Sequence, residues 1–390
     1  MEKTDFYNLE ETLSDTERMV RDTVREFVDR EVIPNIGEWC TQGIFPGELI
    51  SKMAEMGLLG ATLPEEFGGA ELKSLSYGLI MQELERGDSG LRSFASVQNA
   101  LVMYPIFSFG SDEQKNAYLP KLAAGEMIGC FGLTEPDGGS NPGKMRTKAK
   151  KVDGGWVLNG SKIWITNANL AHLAVVFAQT GETNKDIRGF VVERDTPGFT
   201  ANEIKKKIGL RASNTGELVF EDCHVPEEAL LPGSDSGLRA ALSCLDQARY
   251  GIAFGAVGSA MACLEEALEF SSTRAPFDKS LDSYQLVQKK FADIITNITA
   301  GQLINTRLAQ LKDAGTIKPE QISLAKRQNV RMALETARTC REILGANGIT
   351  YEFHSGRHEV NLISVDTYEG TYDIHTLILG HALTGKQAFR

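Results

Sequence analysis

Hydrophobic positions in the first third of this chain recur at helical spacing. Val20, Val24, Phe27, Val28 and Val32 repeat every three or four residues, which predicts one amphipathic helix. Ser14-x-x-Glu17 stands at its start as a capping box, a hydroxyl and a carboxylate satisfying the free amides of the first turn. Pro34 ends the run, since it cannot donate to the helical ladder. Pro46 opens a second helix with Leu49, Ile50 and Met53 on one face, closed by Gly57. A third segment runs from Leu75 to Arg86, and Ser111-x-x-Gln114 caps another towards Leu122.

The pattern changes after Gly129. Lys151-Val-Asp-Gly-Gly-Trp156 predicts a hairpin, because Asp and Gly tolerate the positive φ of a tight turn. Short β-rich runs follow at Trp156–Leu158, Ala174–Ala178, Gly189–Glu193 and Glu217–Phe220, and Pro226 and Pro232-Gly233 close the region. Helical patterns return at 238–272, 284–313 and 319–344. The expected fold is mainly α with a β middle domain: a helical N-terminal domain over 1–128, a β domain over 129–237 and a C-terminal helical bundle over 238–390.

Composition narrows the function classes without changing that picture. Of 390 residues, 42% are hydrophobic and 24% charged, ordinary for a globular chain. The net charge of −11 and the lack of long Lys/Arg runs disfavour nucleic acid as a partner. Lys148, Lys150 and Lys151 read as the solvated face of a strand. Six scattered cysteines without a CxxC pair point away from a disulfide framework or a zinc site and towards a reducing compartment. The uncharged stretches Ser93–Ser111 and Tyr250–Leu264 predict no membrane span, one being broken by polar residues and Pro, the other short. The expected location is cytoplasmic, or the mitochondrial matrix if a presequence has been removed.

The sequence has no GxGxxG and no Walker loop, so a Rossmann or P-loop nucleotide site has no support. Three clusters carry chemistry instead. Phe131-Gly-Leu-Thr-Glu-Pro-Asp-Gly-Gly-Ser140 is a Gly-rich turn before the β region. Trp164-Ile-Thr-Asn167 places an aromatic and a hydroxyl two residues apart, hence on one side of a strand. Tyr368-Glu-Gly-Thr371 sets a carboxylate beside a glycine. Taken singly, each is accounted for as a turn, a half-buried strand and a helix start.

Their order, together with Pro64-Glu-Glu-Phe-Gly-Gly69, Asp246-x-x-Arg249, Arg274-x-x-Phe277 and Ile343-Leu-Gly-Ala346, resembles the acyl-CoA dehydrogenase family over essentially the whole chain. Glu83-Leu-Glu-Arg-Gly-Asp-Ser-Gly-Leu-Arg-Ser93, Ser96-Val-Gln98, Ala248-Arg-Tyr-Gly-Ile252 and Tyr368–His375 are most similar to its glutaryl-CoA dehydrogenase branch. The resemblance implies a helical N-terminal domain, a β-barrel-like middle domain and a C-terminal four-helix bundle, assembled as a homotetramer. It implies FAD as cofactor, an acyl-CoA substrate and an electron-transfer flavoprotein as acceptor.

The same resemblance assigns roles. Glu369 is the base that removes the α-proton, and its amide, with a flavin hydroxyl, holds the thioester oxygen. Phe131, Leu133 and Thr134 line the isoalloxazine, Trp164 packs on it beside Ile165, and Thr166 points a hydroxyl towards it. Arg274 meets the FAD pyrophosphate across a subunit boundary, Phe277 and Gln285 lie near the adenine, and Ile343, Leu344, Gly345, Ala346, Thr371 and Asp373 follow the ADP portion. Ser140, Leu245, Asp246 and Arg249 hold the CoA arm, with Gly370 beside the base. Arg92 and Ser93 match positions that bind a distal carboxylate, and Glu85 and Tyr368 match the decarboxylating branch. Leu91, Asn141, Pro276 and Ala346 depart from the usual Tyr, Asp, Gln-containing and Gly positions. The implied reaction is glutaryl-CoA to crotonyl-CoA and CO₂. A short-chain acyl-CoA oxidase, a dehydrogenase for another CoA or carrier-protein thioester, and a catalytically silent acyl-CoA-binding protein are the alternatives.

Overall fold

The computed structural model describes residues 3–388. Seven helices precede the sheet: α1 (Asp15–Phe27), α2 (Ile36–Gln42), α3 (Leu49–Glu55), α4 (Ser74–Gly87), α5 (Ser89–Ser96), α6 (Tyr104–Phe109) and α7 (Asp112–Ala123). The Ser14/Glu17 and Ser111/Gln114 capping boxes form at α1 and α7. Pro34 ends the first run, yet α2 begins two residues later, and α5 continues through a π-helical turn at Val97–Met103 into α6. These were not legible as helices. Every residue from Ser89 to Met103 is buried, and the polar stripe of α5 (Ser89, Arg92, Ser93, Ser96) faces other buried polar groups instead of solvent.

The middle of the chain forms a curled seven-stranded sheet. Its strands are β1 (Gly129–Gly132), β2 (Lys148–Val152), β3 (Gly155–Thr166), β4 (Leu173–Gln179), β5 (Ile187–Glu193), β6 (Phe199–Glu203) and β7 (Thr215–Pro226). They run in the order β1-β4-β2-β3-β7-β6, with β5 on β4. The Asp153-Gly154 turn joins β2 to β3 as an antiparallel hairpin. Lys148 and Lys150 are exposed around buried Ala149, while Lys151 lies over the Trp156 ring at 4.8 Å. The β3–β7 ladder shifts register twice, and the second shift falls between Lys162 and Ile165.

Five helices complete the chain: α8 (Leu238–Thr273), α9 (Gln285–Asp313), α10 (Pro319–Leu344), α11 (His354–Thr367) and α12 (Tyr372–Thr384). By length and composition α8 could cross a membrane, being longer than the uncharged stretch inside it suggested, but 83% of its apolar window is buried in the bundle. It is the axial core helix. Glycines set how closely α4 approaches it. A Cβ on Gly258 would lie 1.9 Å from the Gln82 carbonyl oxygen, and one on Gly255 would lie 2.1 Å from Glu85 Oε2. Only glycine fits there, and the close approach brings a charged residue of α4 against α8.

Candidate active site

Glu369 lies on the short connection between α11 and α12, in the left-handed region at φ 51°. A non-glycine residue stays there only where its surroundings over-determine it. Arg249 of α8 does so in part, donating from Nε to the Glu369 carbonyl oxygen at 2.7 Å while its Nη1 pairs with Asp246 at 3.0 Å. Lys326 of α10 donates to the flanking carbonyls of Tyr368 (3.1 Å) and Gly370 (2.8 Å). Thr371 caps α12 by accepting from the Ile374 amide at 3.2 Å. The carboxylate itself has a buried Oε2 without a hydrogen-bond partner. Burial pushes its pKa up to about 7, against the opposing pull of Arg92, Arg249 and Lys326. A carboxylate poised there, with an uncommitted oxygen, is suited to general base work.

A second polar group is buried beside it. Arg92 of α5 is 1% exposed and Glu85 of α4 is fully buried. Arg92 Nε pairs with Glu85 Oε2, and Nη2 donates to the Tyr368 hydroxyl. Ser93 Oγ lies 3.3 Å from that hydroxyl, and Ser89 Oγ donates to Glu85 Oε1 at 2.9 Å. Burial pushes the cation down, and the neighbouring Glu85 and Tyr368 more than offset it, so Arg92 stays charged. Asp88 fixes the start of α5: it accepts from the Gly90 amide at 2.7 Å, from Arg357 Nη1 at 2.6 Å and from Asn361 Nδ2 at 2.8 Å, the last two on α11.

The β domain supplies an aromatic ledge. The Ile163 amide donates to the Thr134 carbonyl at 2.9 Å, tying the Phe131–Thr134 turn to β3. Phe131 and Leu133 are buried, and Phe131 packs on Phe177 at 5.6 Å between ring centroids. At the β3 bulge Trp164 takes φ 63° and turns its indole outwards, 60% exposed, while Ile165 is buried and Thr166 half-buried. The register shift breaks the simple alternation expected for Trp164 and Thr166, leaving the indole exposed and the threonine half-buried. Beneath the turn, Lys162 Nζ reaches Glu135 Oε1 at 2.8 Å and the Leu133 carbonyl at 3.1 Å. An outward indole next to a tied-down turn fits a flat heterocycle.

Three family profiles match in chain order: the acyl-CoA dehydrogenase N-terminal domain over residues 14–126, the middle domain over 130–223 and the C-terminal domain over 235–384. The chain belongs to the acyl-CoA dehydrogenase family. The mitochondrial short-chain specific acyl-CoA dehydrogenase of Homo sapiens is 37% identical over 374 residues, covering 95% of this chain and 91% of that protein. A Mycobacterium smegmatis glutaryl-CoA dehydrogenase, solved in complex with FADH2, superposes with a TM-score of 0.97 at 50% identity, covering 100% of this chain and 99% of the other. Butyryl-CoA dehydrogenase of Megasphaera elsdenii gives 0.92 at 34% identity, with 95% and 98% covered.

For an acyl-CoA dehydrogenase, the single chain brings the expected base and substrate positions together and leaves most of the expected nucleotide-end positions apart from them. Glu369, Tyr368, Gly370, Arg249, Asp246, Arg92, Ser93 and Glu85 form one connected cluster, with Leu245 half-buried on the same helix as Arg249. Arg274 and Phe277 instead sit on the exposed connection from α8 to α9, where Phe277 is 93% exposed, and Gln285 is exposed at the first position of α9. Ile343 and Leu344 are buried at the end of α10, Gly345, Ala346 and Asp373 are exposed, and Ser140 lies on the exposed rim of the Gly-rich turn. Sequence reasoning assigned no role to Lys326, Asp88, Arg357 or Lys162. Of these only Asp88, ahead of Ser89-Gly90, carries a local signal, that of a helix N-cap.

Proposed function

We propose that this chain dehydrogenates glutaryl-CoA at Cα–Cβ with FAD and releases crotonyl-CoA and CO₂. The observation that carries the substrate choice is the fully buried Arg92, held by Glu85 and Tyr368 in the same cluster as Glu369. A distal carboxylate loses its hydration on entering such a pocket, and a fixed cation with donors offsets the loss. Glu85 already neutralises Arg92, so the substrate carboxylate becomes a second anion on one cation. That crowding is relieved when the carboxylate departs as CO₂.

Glu369 takes the α-proton on its unpartnered carboxylate oxygen. Its amide makes no hydrogen bond among the described residues and is the donor assigned to the thioester oxygen, where charge develops as the proton leaves. Trp164, Thr166 and the Phe131–Thr134 turn are the residues that would hold the flavin ring, which when bound accepts the hydride from Cβ. Arg249 and Asp246, with Ser140 and Leu245, are assigned to the CoA arm. Arg274, Phe277, Gln285, Ile343–Ala346, Thr371 and Asp373 are assigned to the nucleotide end. Assembly as a homotetramer would cover exposed Phe277, Leu286 and Ile349, and an electron-transferring flavoprotein would reoxidise the cofactor.

The test is anaerobic flavin bleaching with glutaryl-, butyryl-, isovaleryl- and isobutyryl-CoA, followed by product analysis. Glutaryl-CoA is expected to bleach fastest and to yield CO₂. Fastest bleaching by butyryl-CoA would replace this reading with that of a short-chain enzyme. Hydrogen peroxide release during aerobic turnover without another acceptor would mark an oxidase.

A further inference from the structure

Lys326 is a buried cation that the reaction above leaves without a role. It lies on α10, 1% exposed, and donates to the carbonyls of Tyr368 and Gly370 at 3.1 and 2.8 Å. Arg249 grips the carbonyl between them at 2.7 Å. Three successive carbonyls of the catalytic connection are thus each held by a cation. A trans peptide is planar, and its C=O and N–H point in opposite directions. The Tyr368 carbonyl and the Glu369 amide belong to one such plane. Fixing the first at Lys326 fixes the direction of the second, and a cation bonded to the oxygen polarises the N–H into a stronger donor.

We propose that Lys326 is a positioning residue for the reaction, one whose ammonium orients and polarises the Tyr368–Glu369 peptide so that the Glu369 amide holds the thioester oxygen. It also keeps Glu369 in its left-handed conformation and places a positive charge near its carboxylate. The inference rests on the reading of Glu369 as base and of its amide as oxyanion donor. The charged and titratable groups facing Lys326 and Glu369 are Tyr77 on α4, Arg92 on α5, Arg249 on α8, Asp366 on α11, Tyr368 on the connection itself and His375 on α12. Burial lowers Lys326 to about 7, with Glu369 and Asp366 pulling it back up. His375 is held neutral, its pKa lowered to about 3 by burial and by Lys326 and Arg249.

The test uses flavin-loaded K326M, K326Q and K326R, each also combined with E369Q so that unreacted substrate stays bound. The direct readout is the infrared stretch of a ¹³C-labelled thioester carbonyl in those complexes. In K326M the stretch is expected to move back towards its value in water. Flavin reduction should slow roughly ten- to a hundredfold with acyl-CoA affinity within about threefold. The acidic limb of reduction against pH should rise by about one unit, because a positive neighbour of the base has been removed. K326R keeps a cation and its donors and should hold the limb near its original place, with K326Q above it. If K326M retains no flavin, K326Q against K326R decides: equal limbs and equal carbonyl frequencies overturn the inference. An unmoved carbonyl stretch in flavin-loaded K326M overturns it as well. E369Q that still reduces its flavin removes the premise, whereas inert E369Q beside an unaltered K326M removes only the role of Lys326.

Discussion

Replacing Arg92 tests the substrate assignment, but the structure shows that the single substitution answers two questions at once. In R92M the Glu85 carboxylate stays fully buried with Ser89 as its remaining donor. Breaking a buried ion pair by removing one partner costs about 3–5 kcal/mol, because the other charge is left uncompensated. R92M should therefore melt at a lower temperature and lose activity towards every substrate. Removing both charges as R92M/E85Q should restore most of the stability, since the glutamine keeps the shape and a hydrogen-bonding oxygen for Ser89. What remains is the lost contact to the distal carboxylate. A charge-assisted hydrogen bond is worth about 1.5–3 kcal/mol net, so kcat/KM for glutaryl-CoA should fall roughly ten- to a hundredfold in the double variant. Butyryl-CoA offers only a methyl group at that end and should change less than about threefold. The measurements are kcat/KM for both thioesters and a thermal melt for all three proteins. Equal proportional losses for the two substrates in R92M/E85Q would refute the reasoning and make Arg92 a purely structural cation.

Three further outcomes are expected. E369Q should bind acyl-CoA and FAD yet reduce the flavin about 10²–10⁴-fold more slowly, and in the unaltered protein reduction should rise with pH through about 7, because the base acts in its ionised form and burial raises its pKa to that point; a flat profile between pH 5 and 8 would place the proton acceptor elsewhere. Gly255→Ala should lower the melting temperature and erode the preference for glutaryl-CoA together, since its Cβ would lie 2.1 Å from Glu85 Oε2 and 3.1 Å from Arg92 Nε; unchanged selectivity would show that the pair does not choose the substrate. Trp164→Ala should weaken FAD retention on dilution while moving the stability of flavin-free protein by no more than about 0.5 kcal/mol, because the indole is 60% exposed; undiminished retention would exclude the ledge as a flavin platform.

Much of this protein was determined locally by its sequence. The capping boxes of α1 and α7, the Asp-Gly turn of the β2–β3 hairpin and the long α8, α9 and α10 each follow from residues within one or two turns of each other. The motif Tyr368-Glu-Gly-Thr371 was legible too, because its residues are neighbours in the chain, and the resemblance that singles out Glu369 rests on it. Elements that are buried on all sides were harder to read: α5 and the π-helical turn after it have no solvent-exposed face, and β1 is four residues of uniform burial. Apart from the Asp246–Arg249 pair, three residues apart on α8, most of the site's electrostatics were decided by tertiary structure. Arg92 meets Tyr368 across 276 residues, Lys326 reaches Gly370 across 44, and Asp88 holds Arg357 across 269. A buried charge is stable only with a partner, and nothing near it in the chain says which distant residue the packing will bring. The close approach of α4 to α8 at Gly255 and Gly258 made that choice, because it pressed Glu85 and Arg92 against the helix that carries Arg249.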